Sequence, residues 1–111
     1  MRICKTLLLK DDPDLIAEYI SHHAEGNAWP EISAGMKAIG IVDMEIYITG
    51  NRLFMIMDVV DNFDHSKAFA ELSTLPRQHE WESLMSKYQS VGATETAAEK
   101  WEIIKKIYKL D

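Results

Sequence analysis

One cysteine, Cys4, stands among 111 residues, so no disulfide can close within the chain. That suits a reducing compartment, and the cytoplasm is the simplest expectation. The plain role for Cys4 is a small core residue in a strand. Long apolar runs are missing too. Near the N-terminus the longest is Leu7-Leu8-Leu9, held between Lys5 and Lys10. It is far too short for a membrane span or for the apolar region of a signal peptide. Positive charge is scarce, with 12 Lys and Arg against 18 Asp and Glu and a formal net charge of -6. The densest basic group is Lys105-Lys106 with Lys109, so a phosphate backbone is repelled overall and nucleic-acid binding is not expected. The pattern holds no repeat, no low-complexity stretch and no linker. With 47% hydrophobic and 27% charged residues, residues 1–111 are expected to form one domain around one core.

Catalytic signatures are equally sparse. There is no GxSxG, no P-loop, no GxGxxG and no paired CxxC. His79-Glu80-Trp81-Glu82-Ser83 begins like HExxH but lacks the second histidine. His22 and His23 are adjacent, and neighbours on a helix point about a quarter-turn apart, which suits a metal poorly. Neither metal nor cofactor is therefore expected.

What is present is a clear order of elements. Residues 2–10 read as a strand. Asp12 and Pro13 then supply an N-cap and a first helical position. Leu15, Ile16, Tyr19, Ile20 and His23 follow on one helical face, and Gly26 ends that helix. A second helix starts at Pro30, carries Ile32, Met36 and Ile39, and stops at Gly40. Val42 to Thr49 alternates as a strand, with Val42, Met44, Ile46 and Ile48 on one face. Gly50-Asn51 marks a tight hairpin, and Arg52 to Val60 returns. A third helix begins at Asp64, with Ala68, Phe69 and Leu72. A fourth begins at Pro76, with Trp81, Leu84, Met85 and Tyr88 on one face. Residues 90–99 are small and polar, and residues 100–110 read as a last strand.

This order predicts an α+β fold of the ferredoxin-like βαββαβ kind, an antiparallel sheet with its helices on one face. The strand at residues 52–60 is apolar on both parities, so its second face also needs a cover. Nothing in the chain is left to supply one. A homodimer packed sheet against sheet is the expectation.

His23 closes the apolar face of the first helix, whereas His22 is rotated one step toward solvent. Tyr19 lies one turn before His23 and touches it. Trp29 stands just before the second helix. Aromatic rings cover the apolar faces of sugars, and an imidazole moves protons near pH 7. On spacing alone, a satisfied core histidine among core aromatics explains the same residues. Met55 and Met57 read as core, and Lys105-Lys106 as a solvated strand edge.

Three segments carry a resemblance: EYISHHAEGNAWPEI at residues 18–32, GIVDMEIYITGNRLFMIMDV at 40–59 and HEWESLMSKYQ at 79–89. Their order and spacing resemble the L-rhamnose mutarotase family, and EKWEIIKKIYKL at 99–110 looks like its L-fucose branch. The resemblance covers nearly the whole chain. It implies the dimeric α+β barrel fold and a monosaccharide substrate. It also implies an acid/base histidine four residues after a substrate-binding tyrosine, a pattern that falls on Tyr19 and His23. A tryptophan pair of the family falls on Trp81 and Glu82, and a family tyrosine early in the second strand falls on Met44. The loop between His23 and Trp29 is about two residues longer than in the rhamnose form. A lost hydroxyl and a gained carboxylate change how sugar hydroxyls are read, which favours L-fucose over L-rhamnose.

The function expected from this resemblance is interconversion of the α and β anomers of a 6-deoxyhexose by acid/base ring opening. His23 is the catalytic candidate, and Tyr19, Trp29, Glu31, Met44, Trp81 and Glu82 are the binding candidates. Glu31 and Glu82 are also carboxylates that could partner the histidine. Two other readings share the fold: a cofactor-free monooxygenase, which would want a largely apolar pocket, and a non-catalytic sugar-binding domain.

Overall fold

The structure is a computed structural model, and it describes residues 1–90 and 100–111. The first strand, β1, is Arg2–Leu8, and it is followed by helix α1 at Pro13–His23 and helix α2 at Pro30–Ala38. Strands β2 (Ile41–Thr49) and β3 (Arg52–Val59) form the hairpin. Helices α3 (His65–Leu72) and α4 (Gln78–Ser86) lead to the short strand β4, Glu102–Ile104. The four strands stand in the order β2-β3-β1-β4, and every neighbouring pair is antiparallel. That is the ferredoxin-like arrangement the pattern predicts.

Pairing register shows how the core is built. Leu7 faces Leu53, Lys5 faces Met55 and Ile3 faces Met57, while Met57 and Met55 face Met44 and Ile46 on the other side. Directly opposed residues share a sheet face. Leu7, Leu53, Met55, Met57 and Val59 join Tyr19, Ile32, Leu72, Trp81 and Met85 from the helices in one buried cluster. Each such side chain contributes about 1.5–3 kcal/mol of hydrophobic burial. The opposite parity carries Cys4, Leu8, Phe54, Ile56, Tyr47 and Ile104. Phe54 on this face is still 36% exposed. The double apolar pattern of residues 52–60 is thus half satisfied within one chain.

The helix starts follow local chemistry. Asp12 caps α1, its Oδ1 accepting from the N–H groups of Asp14 at 2.9 Å and Leu15 at 3.2 Å. Asp64 caps α3 by accepting from Lys67 N–H at 3.2 Å. Gly40, with φ +104°, turns the chain from α2 into β2. A β-carbon there would stand 3.0 Å from Val60 Cγ2, so glycine is required twice over.

Several expectations need correction. The first strand stops at Leu8, and Leu9 makes only an isolated bridge to Gln89. Ile20 is 50% exposed and lies off the buried face of α1. A register shift between Ile41 and Asp43 bulges the chain at Val42, which turns outward instead of sharing the face of Met44 and Ile46. Helix α4 starts at Gln78, not Pro76, because Arg77 takes a left-handed conformation with φ +63°. Tyr88 lies beyond the end of α4, yet it is buried. The last strand is three residues long, and Ile107, Tyr108 and Leu110 lie exposed beyond it. They find no apolar surface within the described residues. Of the loop expected at residues 90–99, residues 91–99 lie outside the described residues.

Candidate active site

A cavity of about 420 Å³ opens between the sheet and the helices. This lies within the usual range of about 300–1,000 Å³ for small-molecule sites. Lys5, Met44, Ile46 and Met55 supply the sheet side. Tyr19 and His23 line it from α1, Trp29 from the approach to α2, and Trp81 and Glu82 from α4.

His23 is placed by the way α1 ends. Ala24 leaves the helix with φ −66° and ψ 155°, so His23 is its last residue. The His23 Nδ1 lies 2.8 Å from the Tyr19 carbonyl oxygen. A carbonyl only accepts, so Nδ1–H donates and Nε2 is the basic nitrogen of the neutral ring. The Tyr19 ring lies 4.4 Å from the His23 ring at 32°, and the Trp81 ring lies 5.4 Å away at 70°. His23 is exposed where it lines the edge of the cavity, whereas His22 beside it is half-buried. Burial is the main influence lowering its pKa below the ordinary imidazole value, opposed by the Tyr19 carbonyl and aided by neighbouring His22. The ring is therefore neutral, and a base, at pH 7.

The aromatic wall is stacked and clamped. Trp29 meets Trp81 edge-on at 5.2 Å and 66°. The Arg77 guanidinium lies 3.9 Å over the Trp29 ring. Arg77 also pairs with Glu31 at 3.6 Å and Glu80 at 3.5 Å. Glu31 is thus spent on this clamp and does not line the cavity, unlike Tyr19, His23, Trp29, Met44, Trp81 and Glu82. The Glu82 carboxylate accepts from Gln78 Nε2 at 3.2 Å.

His22 is not turned to solvent. It is half-buried, with Nε2 3.0 Å from the Tyr88 hydroxyl, because one helical step carries it toward the segment after α4. It does not line the cavity.

The cavity also brings in residues that the sequence reading passed over: Lys5, Gln78, Gln89, Lys100 and Trp101. All five are buried. Gln89 lines the cavity near the Tyr19 phenol, and its Oε1 is buried without a partner. Burial strongly raises the Tyr19 phenol pKa, so the hydroxyl keeps its proton and serves as a donor. Lys100 Nζ donates to Ser86 Oγ at 2.6 Å and to the Glu82 carbonyl at 3.3 Å. Among the described residues, no three His, Cys, Asp or Glu side chains converge as a metal site would require.

The fold and cavity define a ferredoxin-like α+β domain with an aromatic-walled pocket, polar groups in its lining, and a neutral imidazole at its edge. Residues 2–110 match the family described as L-rhamnose mutarotase, and the chain belongs to that family. It is a sugar mutarotase, an isomerase that exchanges anomers. An L-fucose mutarotase of Xanthomonas campestris pv. campestris is 36% identical over 109 residues, covering 98% of this chain and 87% of that protein. A protein of Dictyostelium discoideum is 33% identical over 111 residues, covering 96% of this chain and 87% of its own. Among solved structures, L-rhamnose mutarotase from Formosa agariphila superposes with a TM-score of 0.69 at 17% identity, covering 100% and 99% of the two chains. Tetracenomycin F2 cyclase of Streptomyces glaucescens superposes with a TM-score of 0.58 at 14% identity, again covering 100% and 99%. These two share the fold alone at such identities.

Proposed function

We propose that this chain exchanges the α and β anomers of L-fucose in preference to L-rhamnose, with His23 as the base that opens the ring. One observation carries the role of His23: its Nδ1–H is committed to the Tyr19 carbonyl, which leaves a basic Nε2 on a ring that lines the cavity. His23 takes the proton from the anomeric hydroxyl. The carbonyl forms at the anomeric carbon, the bond to the ring oxygen breaks, and the ring oxygen takes a proton. Rotation about the exposed carbonyl carbon and reclosure give the other anomer. Trp29 and Trp81 cover apolar sugar faces, while the Tyr19 hydroxyl and the Glu82 carboxylate read sugar hydroxyls. Met44 gives an apolar contact where the resembled family carries a tyrosine.

The choice of L-fucose rests on the 36% identical relative that bears that name and on Met44 and Glu82 in the cavity lining. The working form is a homodimer closed through the helix-free sheet face, and the working compartment is the cytoplasm. Saturation-transfer NMR across a panel of free sugars tests the substrate. Faster exchange of L-fucose than of L-rhamnose is predicted under matched conditions. Equal or faster exchange of L-rhamnose reverses the assignment, and no catalysis with either sugar removes it.

A further inference from the structure

Ring opening needs an acid as well as a base, and His23 supplies only the base. The acid must offer a proton inside the cavity from a group that other bonds do not hold. Three lining side chains carry protons on a cation or a phenol: Lys100, Tyr19 and Lys5. Lys100 is held by Ser86 Oγ at 2.6 Å and the Glu82 carbonyl at 3.3 Å. The Tyr19 phenol is made a weaker acid by its burial. Lys5 differs from both. It stands on the inward parity of β1 between Met55 of β3 and Ile103 of β4, both apolar. It is 1% exposed and lines the cavity. Among the described residues its ammonium meets the face of the Phe69 ring, 4.0 Å from the centroid, and neither a carboxylate nor a carbonyl accepts from it.

Burying an ammonium is costly unless its protons find acceptors. A sugar oxygen entering the cavity would supply one. We infer that Lys5 is the acid of the ring-opening step, giving its proton to the ring oxygen while His23 takes the anomeric proton. The inference rests on the mutarotase reading of the same cavity. Charge and atoms balance: one proton leaves the anomeric oxygen for His23 Nε2, and one leaves Lys5 Nζ for the ring oxygen. The electron pair of the broken carbon–oxygen bond stays on that ring oxygen. Ring closure runs the same transfers backward.

The surroundings support a proton that can leave. Burial lowers the Lys5 pKa to about 8, within reach of working pH. On α3, the Lys5 ammonium disfavours protonation of His65, with burial the larger influence on that ring. Across the cavity stand Tyr19 and His23 on α1, Glu82 on α4, and Lys100. Of these only Glu82 carries negative charge, and Gln78 already binds it.

The test follows L-fucose anomer exchange by saturation-transfer NMR on the purified full chain, with the uncatalysed rate subtracted at each pH. The wild-type rate is expected to fall as pH rises through about 8, the point at which Lys5 loses its proton. Lys5→Met keeps the length and packing of the stem without the proton, and should lower kcat about 10²–10⁴-fold. Lys5→Arg keeps the charge but holds its protons too tightly. It should also lose rate, with the alkaline fall displaced to higher pH. Circular dichroism checks that both variants fold. A folded Lys5→Met within roughly threefold of wild type overturns the proposal, as does full rescue by Lys5→Arg, which would mean that charge alone matters. If neither variant folds, the wild-type profile decides, and a flat rate through pH 8–9 rejects the role of Lys5. His23→Ala separates the two claims. Loss of rate there with none in Lys5→Met leaves the mutarotase reading standing and removes Lys5, whereas an inactive wild type removes both.

Discussion

The adjacent histidines diverge by one helical step into different surroundings. His23 faces the cavity with Nδ1 bound to a carbonyl, while His22 bonds the Tyr88 hydroxyl. His22→Ala is predicted to cost about 0.5–1.5 kcal/mol of stability, read by urea unfolding, with anomer exchange changed by less than roughly threefold. The lowered His23 pKa gives a pH signature. As pH falls, catalysis should persist through 6.5, the ordinary imidazole value, and drop only below it. An acid limb with its midpoint above 6.5 contradicts this. Stability has the same sign. A histidine depressed on folding contributes stability that is complete above the unfolded pKa and is lost as pH falls through the folded one. Tyr19, His23, Trp29, Trp81, Glu82 and Met44 were legible because helix and strand periodicity, with the family pattern, place them. Lys5 was hidden by position: Leu7-Leu8-Leu9 is apolar on both parities, so the inward alternation of Ile3, Lys5, Leu7 and Leu9 is easily missed. Gln89 and Lys100 lie in segments without periodicity, and only tertiary packing turns them inward.

Helix α1 delivers Tyr19 and His23 to the cavity, so its start matters to the site. Asp12→Ala removes two N-cap hydrogen bonds and is predicted to lower stability by about 0.5–2 kcal/mol, read by urea unfolding. An unchanged midpoint would show that the cap contributes nothing. Caps at Asp12 and Asp64 were readable because capping is local chemistry. The start of α4 was not, because Pro76 is a strong helix-start signal and Arg77 then adopts a left-handed turn that no neighbouring residue type announces. The extent of β4 was unreadable for a different reason. Alternation in residues 100–110 records a preference for extended chain, but a ladder needs a partner, and β1 pairs only three residues of it through Cys4–Thr6. The hairpin's turn was readable, since Gly50 at φ +56° takes the positive-φ conformation that a Gly-first turn requires, whereas the bulge at Val42 was not.

At the scale of the molecule, the helix-free face carries Cys4, Leu8, Phe54, Ile56 and Ile104, with the exposed apolar residues of the C-terminal tail beyond it. An apolar patch of this kind marks an interaction surface. A homodimer is predicted by light scattering at micromolar concentration, and Phe54→Asp should shift it to monomer by burying an unpaired charge at the interface. A wild-type monomer contradicts that assembly. The four-stranded order was legible in outline, because the alternation of strands and helices fixes it. The exposure of Phe54 on its outer face was not, since a sequence cannot say whether the same chain or a second copy covers a strand. The central claim is that this small domain exchanges sugar anomers by proton transfer at His23. Its most direct test is saturation-transfer NMR of L-fucose with wild type, His23→Ala and His22→Ala side by side, all confirmed folded by circular dichroism. The account predicts rapid exchange with wild type and His22→Ala and a loss of about 10²–10⁴-fold with His23→Ala. Exchange that survives in His23→Ala, or dies in His22→Ala alone, contradicts it.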